Sequence, residues 1–468
     1  MRHLILSMTL AGLLTGCAVS SPPPRPAMDL ATDWTLATAT ADPSLLLQDD
    51  WWLAFDSEPL QQLIEQALQQ NLDLRMAQER ILQAEAQLGI TRASSLPGLN
   101  ANASAGVRNT SGNNGQNTSS ESSSIGLSTS YEVDLWGRIA AERAAGKASL
   151  EATVYDWHST RLSLSASVAS SWFQWLLLDS RQETARWYLQ AAEKQLAFIE
   201  AAYQQGTATP ADLARQRSQV ISQQSNLKNL QHQQLQTSNA LALLLGEAPQ
   251  QFQPPTADLQ QLNPPRIHPG LPSDLLTRRP DLARAEAQLQ AAEANITAAR
   301  AAVFPSLQLS ASAALASSTL SLADPVQTLN LTSGITQSIF DHGVRKRQIQ
   351  ISESRQQELL QSYHKAVLTA LIEVEDALSN ERLNHELQQQ QQRLVKETRL
   401  ITSHTERRYQ AGADSLNLLL EAQRSLFQAE DQLLQLQQER LNASLNLYRV
   451  LGGGWQQENV WTNTNEKD

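Results

Sequence analysis

Residues able to do covalent or acid–base chemistry are plentiful in this chain, but their spacing builds no catalytic constellation. The eight histidines are scattered, and no His-x-x-x-His pair sets two imidazoles on one helix face to hold a metal. A single cysteine, Cys17, cannot assemble a thiolate site. The sequence has no Gly-x-Ser-x-Gly nucleophile turn and no Gly-x-x-x-x-Gly-Lys phosphate loop. Gly452-Gly453-Gly454 lacks the following Lys and Ser/Thr, so it reads as a helix terminator. Carboxylates on long polar helices read as a solvated face. A net charge of −11 without a basic block argues against a nucleic-acid partner. The expectation is a protein that is not an enzyme and uses neither cofactor nor metal.

Cys17 is the one residue with a specific chemistry left to it. Arg2 supplies a positive start, Leu4 to Leu14 form a short apolar stretch, and small residues precede the cysteine, as in a secretory signal over 1–16. Leu14-Thr15-Gly16-Cys17 resembles the bacterial lipobox, in which the cysteine becomes the lipid-modified first residue of the mature chain. Ala18 in place of Asp favours the outer membrane by the same resemblance. Ser21-Pro22-Pro23-Pro24-Arg25-Pro26 reads as an extended tether, so 17–57 is expected to hold anchor, tether and an N-terminal segment.

The elements that must position everything else are two long helices. One is expected from Arg138 to Gln205 and one from Val344 to Ala411, each bounded by glycine and free of proline. Each would be on the order of 100 Å long. Before the first, Leu60, Leu63, Ile64, Ala67 and Leu68 keep helical spacing after Pro59, and Asn71 interrupts them. A second helix stops before Pro97. The period then changes to two. Strands are expected over 99–108 and 125–135, joined by a Ser/Asn/Gly loop over 109–124.

The pattern is written twice. At a shift of 208 positions, 73–105 and 281–313 share 13 identities in 33 ungapped positions, among them Ala84-Glu85-Ala86 with Ala292-Glu293-Ala294. At a shift of 206, Tyr203-Gln204 and Gly206 match Tyr409-Gln410 and Gly412. The repeats are therefore 58–248 and 273–454, with second-copy strands over 307–316 and 328–339, a proline-rich connection over 249–272 and a tail over 455–468. Seven-residue spacings such as Leu419, Leu426 and Leu433 predict supercoiled helices.

No run of about 18 or more apolar residues occurs, so any membrane crossing must be made by strands. Strands of about ten residues with weak alternation are the signature of an outer-membrane barrel. Four strands cannot close alone in lipid, where every backbone polar group must be paired. Two chains would give eight strands with a nearly filled interior, whereas three would leave a lumen. Asn100, Asn102, Ser104, Gln308, Ser310 and Ser312 would then line water, and the Leu/Ala/Val set would face lipid.

Together, Tyr131-Glu132-Val133-Asp134-Leu135-Trp136-Gly137-Arg138, Leu276-Thr277-Arg278-Arg279-Pro280-Asp281-Leu282, Ile339-Phe340-Asp341-His342-Gly343 and the ending Leu447 to Trp455 carry a family resemblance. The chain resembles the outer-membrane factors of tripartite efflux pumps, the TolC-like channels, in their lipoprotein (NodT/OprM-like) branch. The resemblance implies an α+β membrane protein, a TolC-like β-barrel with four strands per chain continued by a periplasmic α-helical barrel. It implies a homotrimer in outer-membrane lipid, docking a periplasmic adaptor and an inner-membrane pump of the RND type. The function implied is a passive exit duct for drugs, toxic compounds or metals. Alternatives are the outer channel of a type I protein secretion system, or a periplasmic coiled-coil adaptor or scaffold.

In that fold the turns at Tyr203, Gly206, Tyr409 and Gly412 form the periplasmic tip, where the adaptor docks. A gate would be built by Asp212, Arg215, Asp414, Glu421 and Arg424, with Arg215 and Glu421 at matching positions of the two copies and able to bridge them. The competing reading gives Asp414 and Ser415 to helix capping and pairs Arg424 with Glu421. Pro280 and Asp281 read as a structural helix start, and Gly137 and Gly343 as relief where strand turns into helix.

Overall fold

The computed structural model describes residues 31–35, 50–111, 117–265 and 267–456. Cys17, the expected signal peptide and the tether lie outside the described residues. A 3-10 turn at Trp51–Phe55 leads into α1 (Glu58–Gln70), where the Ser57 hydroxyl accepts from the Leu60 amide and Leu60, Leu63, Ile64 and Ala67 form the buried face. The chain continues through α2 (Leu72–Ala93), β1 (Gly98–Ser111), β2 (Asn117–Val133), α3 (Arg138–Gln204) and α4 (Pro210–Leu245). After an irregular connection and a single helical turn at Leu275–Arg278, the second copy runs α5 (Pro280–Ala301), β3 (Ser306–Ser317), β4 (Val326–Thr336), α6 (Val344–Gln410) and α7 (Leu416–Val450). Helices α3 and α6 are 67 residues each, within one residue of the expected ends.

Two compact units divide these elements. The described residues of Glu79–Val154 and Arg284–Lys365 form one, and those of Asp29–Gln78, Tyr155–Ala283 and Ala366–Asp468 form the other. The first holds an antiparallel sheet in the order β1-β2-β3-β4. Its strands exceed expectation on one side: most of the stretch read as a loop over 109–124 is ladder, paired out to Ser111↔Asn117. Periodicity could not show this, because both faces there are polar, mostly Ser, Thr and Asn. Once the apolar half of the hairpin sets the register, such residues continue it with cross-strand bonds such as Ser104 Oγ to Ser124 Oγ at 2.8 Å.

The strand-to-helix junctions explain two of the motifs. Asp134 accepts from the amides of Ile139 and Ala140, capping α3, and Asp341 accepts from Gly343 and Arg345 at the start of α6. Gly137 and Gly343 sit at φ of 75° and 82° with open space where a Cβ would go, so conformation alone selects glycine. Trp136 stacks on Phe304 at 4.8 Å and donates its indole N–H to the Pro305 carbonyl at 2.7 Å, while Arg138 pairs with Glu132 and Glu142.

The second unit has one large core, in which Trp51, Phe55, Ile64, Trp172, Phe173, Leu241, Leu245 and Tyr448 are buried together. The duplication survives here to the level of single hydrogen bonds. Asn71 donates its amide to the Leu244 carbonyl at 2.9 Å, and at the matching place Arg279 donates to the Val450 carbonyl at 3.0 Å. A Cβ on Gly246 would press on the Gln70 carbonyl at 2.7 Å, and one on Gly452 would overlap the Arg278 carbonyl.

Candidate functional site

Two regions carry the function-bearing geometry, and each lies within one unit. The sheet is the first. Register places Asn100, Ser128, Ser312 and Asn330 in one row across all four strands, and Ala101, Leu127, Ala313 and Leu329 in the next. In these rows one face is polar and the other apolar, as the alternation required. At Gly126 the strands approach closely on the polar face: a Cβ there would lie 2.8 Å from the Ala314 Cβ, so only glycine fits without a shift. The apolar side is left uncovered, with Leu329 82% and Leu331 85% exposed. Among the described residues β1 and β4 each pair on one side only, leaving two rows of backbone donors and acceptors open.

The second region is the pair of turns after α3 and α6. Each ends in the same motif: Gly206 and Gly412 take φ of 77° and 73°, and the amides of Thr207 and Ala413 return to the Ala202 and Arg408 carbonyls at 2.9 and 2.8 Å. The turns pack together through Ile199, Leu213 and Leu416, with Leu196, Tyr409 and Leu420 against them. Burial, aided by the nearby Asp212 charge, holds the Tyr409 phenol above its ordinary range. Tyr203, its counterpart, is exposed.

The charged residues of the turns are engaged differently from expectation. Asp212 completes a capping box: its carboxylate accepts from the Thr209 hydroxyl at 2.7 Å and the Thr209 amide at 3.1 Å, which holds it below the usual carboxylate range. Asp414 is clamped by Arg408 of its own hairpin through two bonds of 2.9 and 3.0 Å. Ser415 alone supplies the side-chain cap of α7, to the Leu418 amide. Arg215 reaches across to the other copy, but it donates to the Asn417 amide oxygen at 2.6 Å and pairs with Asp212 at 3.5 Å. Among the described residues Arg215 and Glu421 form no ion pair; Asn417, one turn nearer the start of α7, holds the guanidinium. Nor do Glu421 and Arg424 pair with each other among the described residues; both are exposed and line one open cavity with Arg215, Gln219 and Asn417. Two long-range links escaped sequence reading. Arg181 holds Asp431 at 2.6 and 3.0 Å, and Glu430 accepts from Tyr188 at 2.9 Å and Arg399 at 2.6 Å. Only the three-dimensional pairing of α3 with α6 and α7 brings these together.

A family model described as outer membrane efflux protein matches residues 63–247 and 271–453, one match per copy. The chain belongs to this family. The pyoverdine export outer membrane protein OpmQ of Pseudomonas aeruginosa is 43% identical over 346 residues, covering 73% of this chain and 72% of the relative. The cation efflux system protein CusC of Escherichia coli O6:H1 is 33% identical over 351 residues, covering 73% and 75%. Among solved structures, the open state of the Neisseria gonorrhoeae MtrE outer membrane channel superposes with a TM-score of 0.83 at 28% identity, covering 94% of this chain and 98% of that one. The fold is TolC-like, and the protein is an outer-membrane channel of the kind that serves tripartite efflux pumps. Its place is the outer membrane. Among the described residues no helix is long and apolar enough to cross a membrane.

Proposed function

We propose that the chain works as a homotrimer whose three four-stranded sheets close one twelve-stranded barrel, with each β1 edge pairing the β4 edge of a neighbour. The open sheet carries this reading. In hydrocarbon both edges must be paired, and the exposed apolar face needs lipid against it. The barrel is a passive duct without a catalytic step, for small toxic compounds, drugs or metal ions. Relatives named for pyoverdine, toluene and cation export support a range of cargo rather than one. A periplasmic adaptor docks at the turns of Gly206 and Gly412, with Tyr203 and Tyr409 beside them, and an inner-membrane RND pump supplies the energy. Glu421 and Arg424 border the gate, and Arg215 ties the two hairpins. Detergent-extracted protein should have a trimer mass by light scattering. A cysteine pair placed on β1 and β4 should cross-link between chains. A stable monomer in water without detergent would overturn the reading.

A further inference from the structure

We propose that Arg108 sets the charge preference of the outer mouth of the channel, favouring anionic solutes on their way out. The inference rests on the trimeric-channel reading above. Register puts Arg108 on the polar face, opposite Ser120 and in line with Asn102, Ser104 and Gly106. The four strands carry three charged residues: Arg108, Glu121 and Glu132. Glu121 pairs with Val107 and so lies on the apolar side. Glu132 shares the polar face, but it is paired with Arg138 at 2.8 Å. Arg108 is thus the strand charge on the polar face that forms no ion pair among the described residues.

Its height along the strand gives it a position as well as a sign. The apolar rows end at Ala103↔Ile125↔Leu315, where Ser123 and Ser317 follow. Arg108 lies five residues beyond Ala103, about 16 Å further along the hairpin. There β1 and β2 continue without β3, whose pairing stops at Ser123↔Ser317. Since the other strand ends lead into α3 and α6, this hairpin end faces outside the cell. Residues 112–116 add no charge, and the acidic Asp324 belongs to the β3–β4 turn and not to a strand. Three chains would set three guanidinium groups around one opening. Rings of arginine or lysine select anions in pores, and their field acts over roughly a Debye length, about 10 Å at 0.1 M salt.

The test uses pyranine, a pyrene bearing three sulfonates, titrated into detergent-purified trimers at low salt and followed by fluorescence anisotropy. Wild type should bind it in a salt-sensitive way, Arg108→Lys should keep binding, and Arg108→Glu should bind about tenfold more weakly or less. In planar bilayers under a potassium chloride gradient, the reversal potential of Arg108→Glu should move toward cation selectivity. Absence of pyranine binding to wild type, or equal binding by Arg108→Glu, overturns the inference. Light scattering on the same samples separates the two failures, because a trimer that shows no such difference leaves the channel reading standing.

Discussion

Arg279 engages all three of its guanidinium nitrogens inside the second unit. It is 7% exposed, grips Asp281 through two bonds of 3.0 and 2.8 Å, pairs with Glu373 on α6 at 2.8 Å and donates to the Val450 carbonyl. One planar guanidinium therefore fixes the start of α5, the side of α6 and the end of α7. A lysine offers a single point charge and cannot satisfy that fork. Removing the cation leaves two carboxylates without it, so Arg279→Ala should destabilise the fold by roughly 3 kcal/mol or more. Its check is the thermal melting midpoint of the detergent trimer. The linkage also has a pH signature. Arg279 and backbone amides, working against burial, hold Asp281 below the usual carboxylate range. A depressed folded value means the stabilisation is present above the unfolded value of about 3.9 and is lost as pH falls through the folded one. Asp281→Asn should accordingly melt earlier than wild type at neutral pH, and the difference should shrink in strong acid. Gly452 is constrained more simply: at φ of 95°, and with the Arg278 carbonyl where a Cβ would go, Gly452→Ala must move backbone. A lower melting midpoint than that of Gly412→Ala, which meets open space, would confirm that contact and not dihedral strain is the cause.

At the scale of elements, the two hairpins share a backbone turn but not its fastenings. The first is held by the Thr209–Asp212 capping box, the second by the Arg408–Asp414 clamp, and Arg215 with Asn417 joins them. These links lie at exposed turns, so each is worth little to folding. They are suited to closure rather than to stability. Arg215→Ala combined with Glu421→Ala should raise single-channel conductance in planar bilayers without lowering trimer yield. Unchanged conductance with normal trimer would place the constriction elsewhere. The helices and their turns were legible in the sequence because glycine, capping residues and a 3.6-residue period all act locally. The polar half of the β1–β2 hairpin was not, since Ser and Asn on both faces carry no alternation to read. The partner of Arg215 was hidden for another reason. Matching positions in a repeat indicate which residues come near each other, but rotamer and reach decide between Asn417 and Glu421.

For the whole molecule, duplication and membrane attachment raise separate questions. Each copy supplies two strands, one 67-residue helix and one turn, and each has the matching side-chain-to-carbonyl bond, Asn71 to Leu244 or Arg279 to Val450. The second copy has replaced an amide by a charged fork, which is how a repeat acquires distinct roles without a change of fold. In the reading proposed above, the barrel alone crosses the bilayer, and a lipid on Cys17 would add a second attachment. Acyl chains contribute roughly 0.8 kcal/mol per buried methylene, and one chain holds a protein only reversibly. An apolar band around a closed barrel buries far more surface than that. The anchor should therefore matter for delivery to the outer membrane and not for what the channel is once there. Replacing Cys17 by alanine, with a signal peptide that still directs export, should lower the amount of protein recovered from outer membranes. The trimers that do arrive should show wild-type mass, melting and conductance. Mass spectrometry of the native protein should find the mature chain beginning at an acylated Cys17. An unmodified amino terminus beyond residue 17 would remove the anchor from the account and leave the barrel to hold the protein alone.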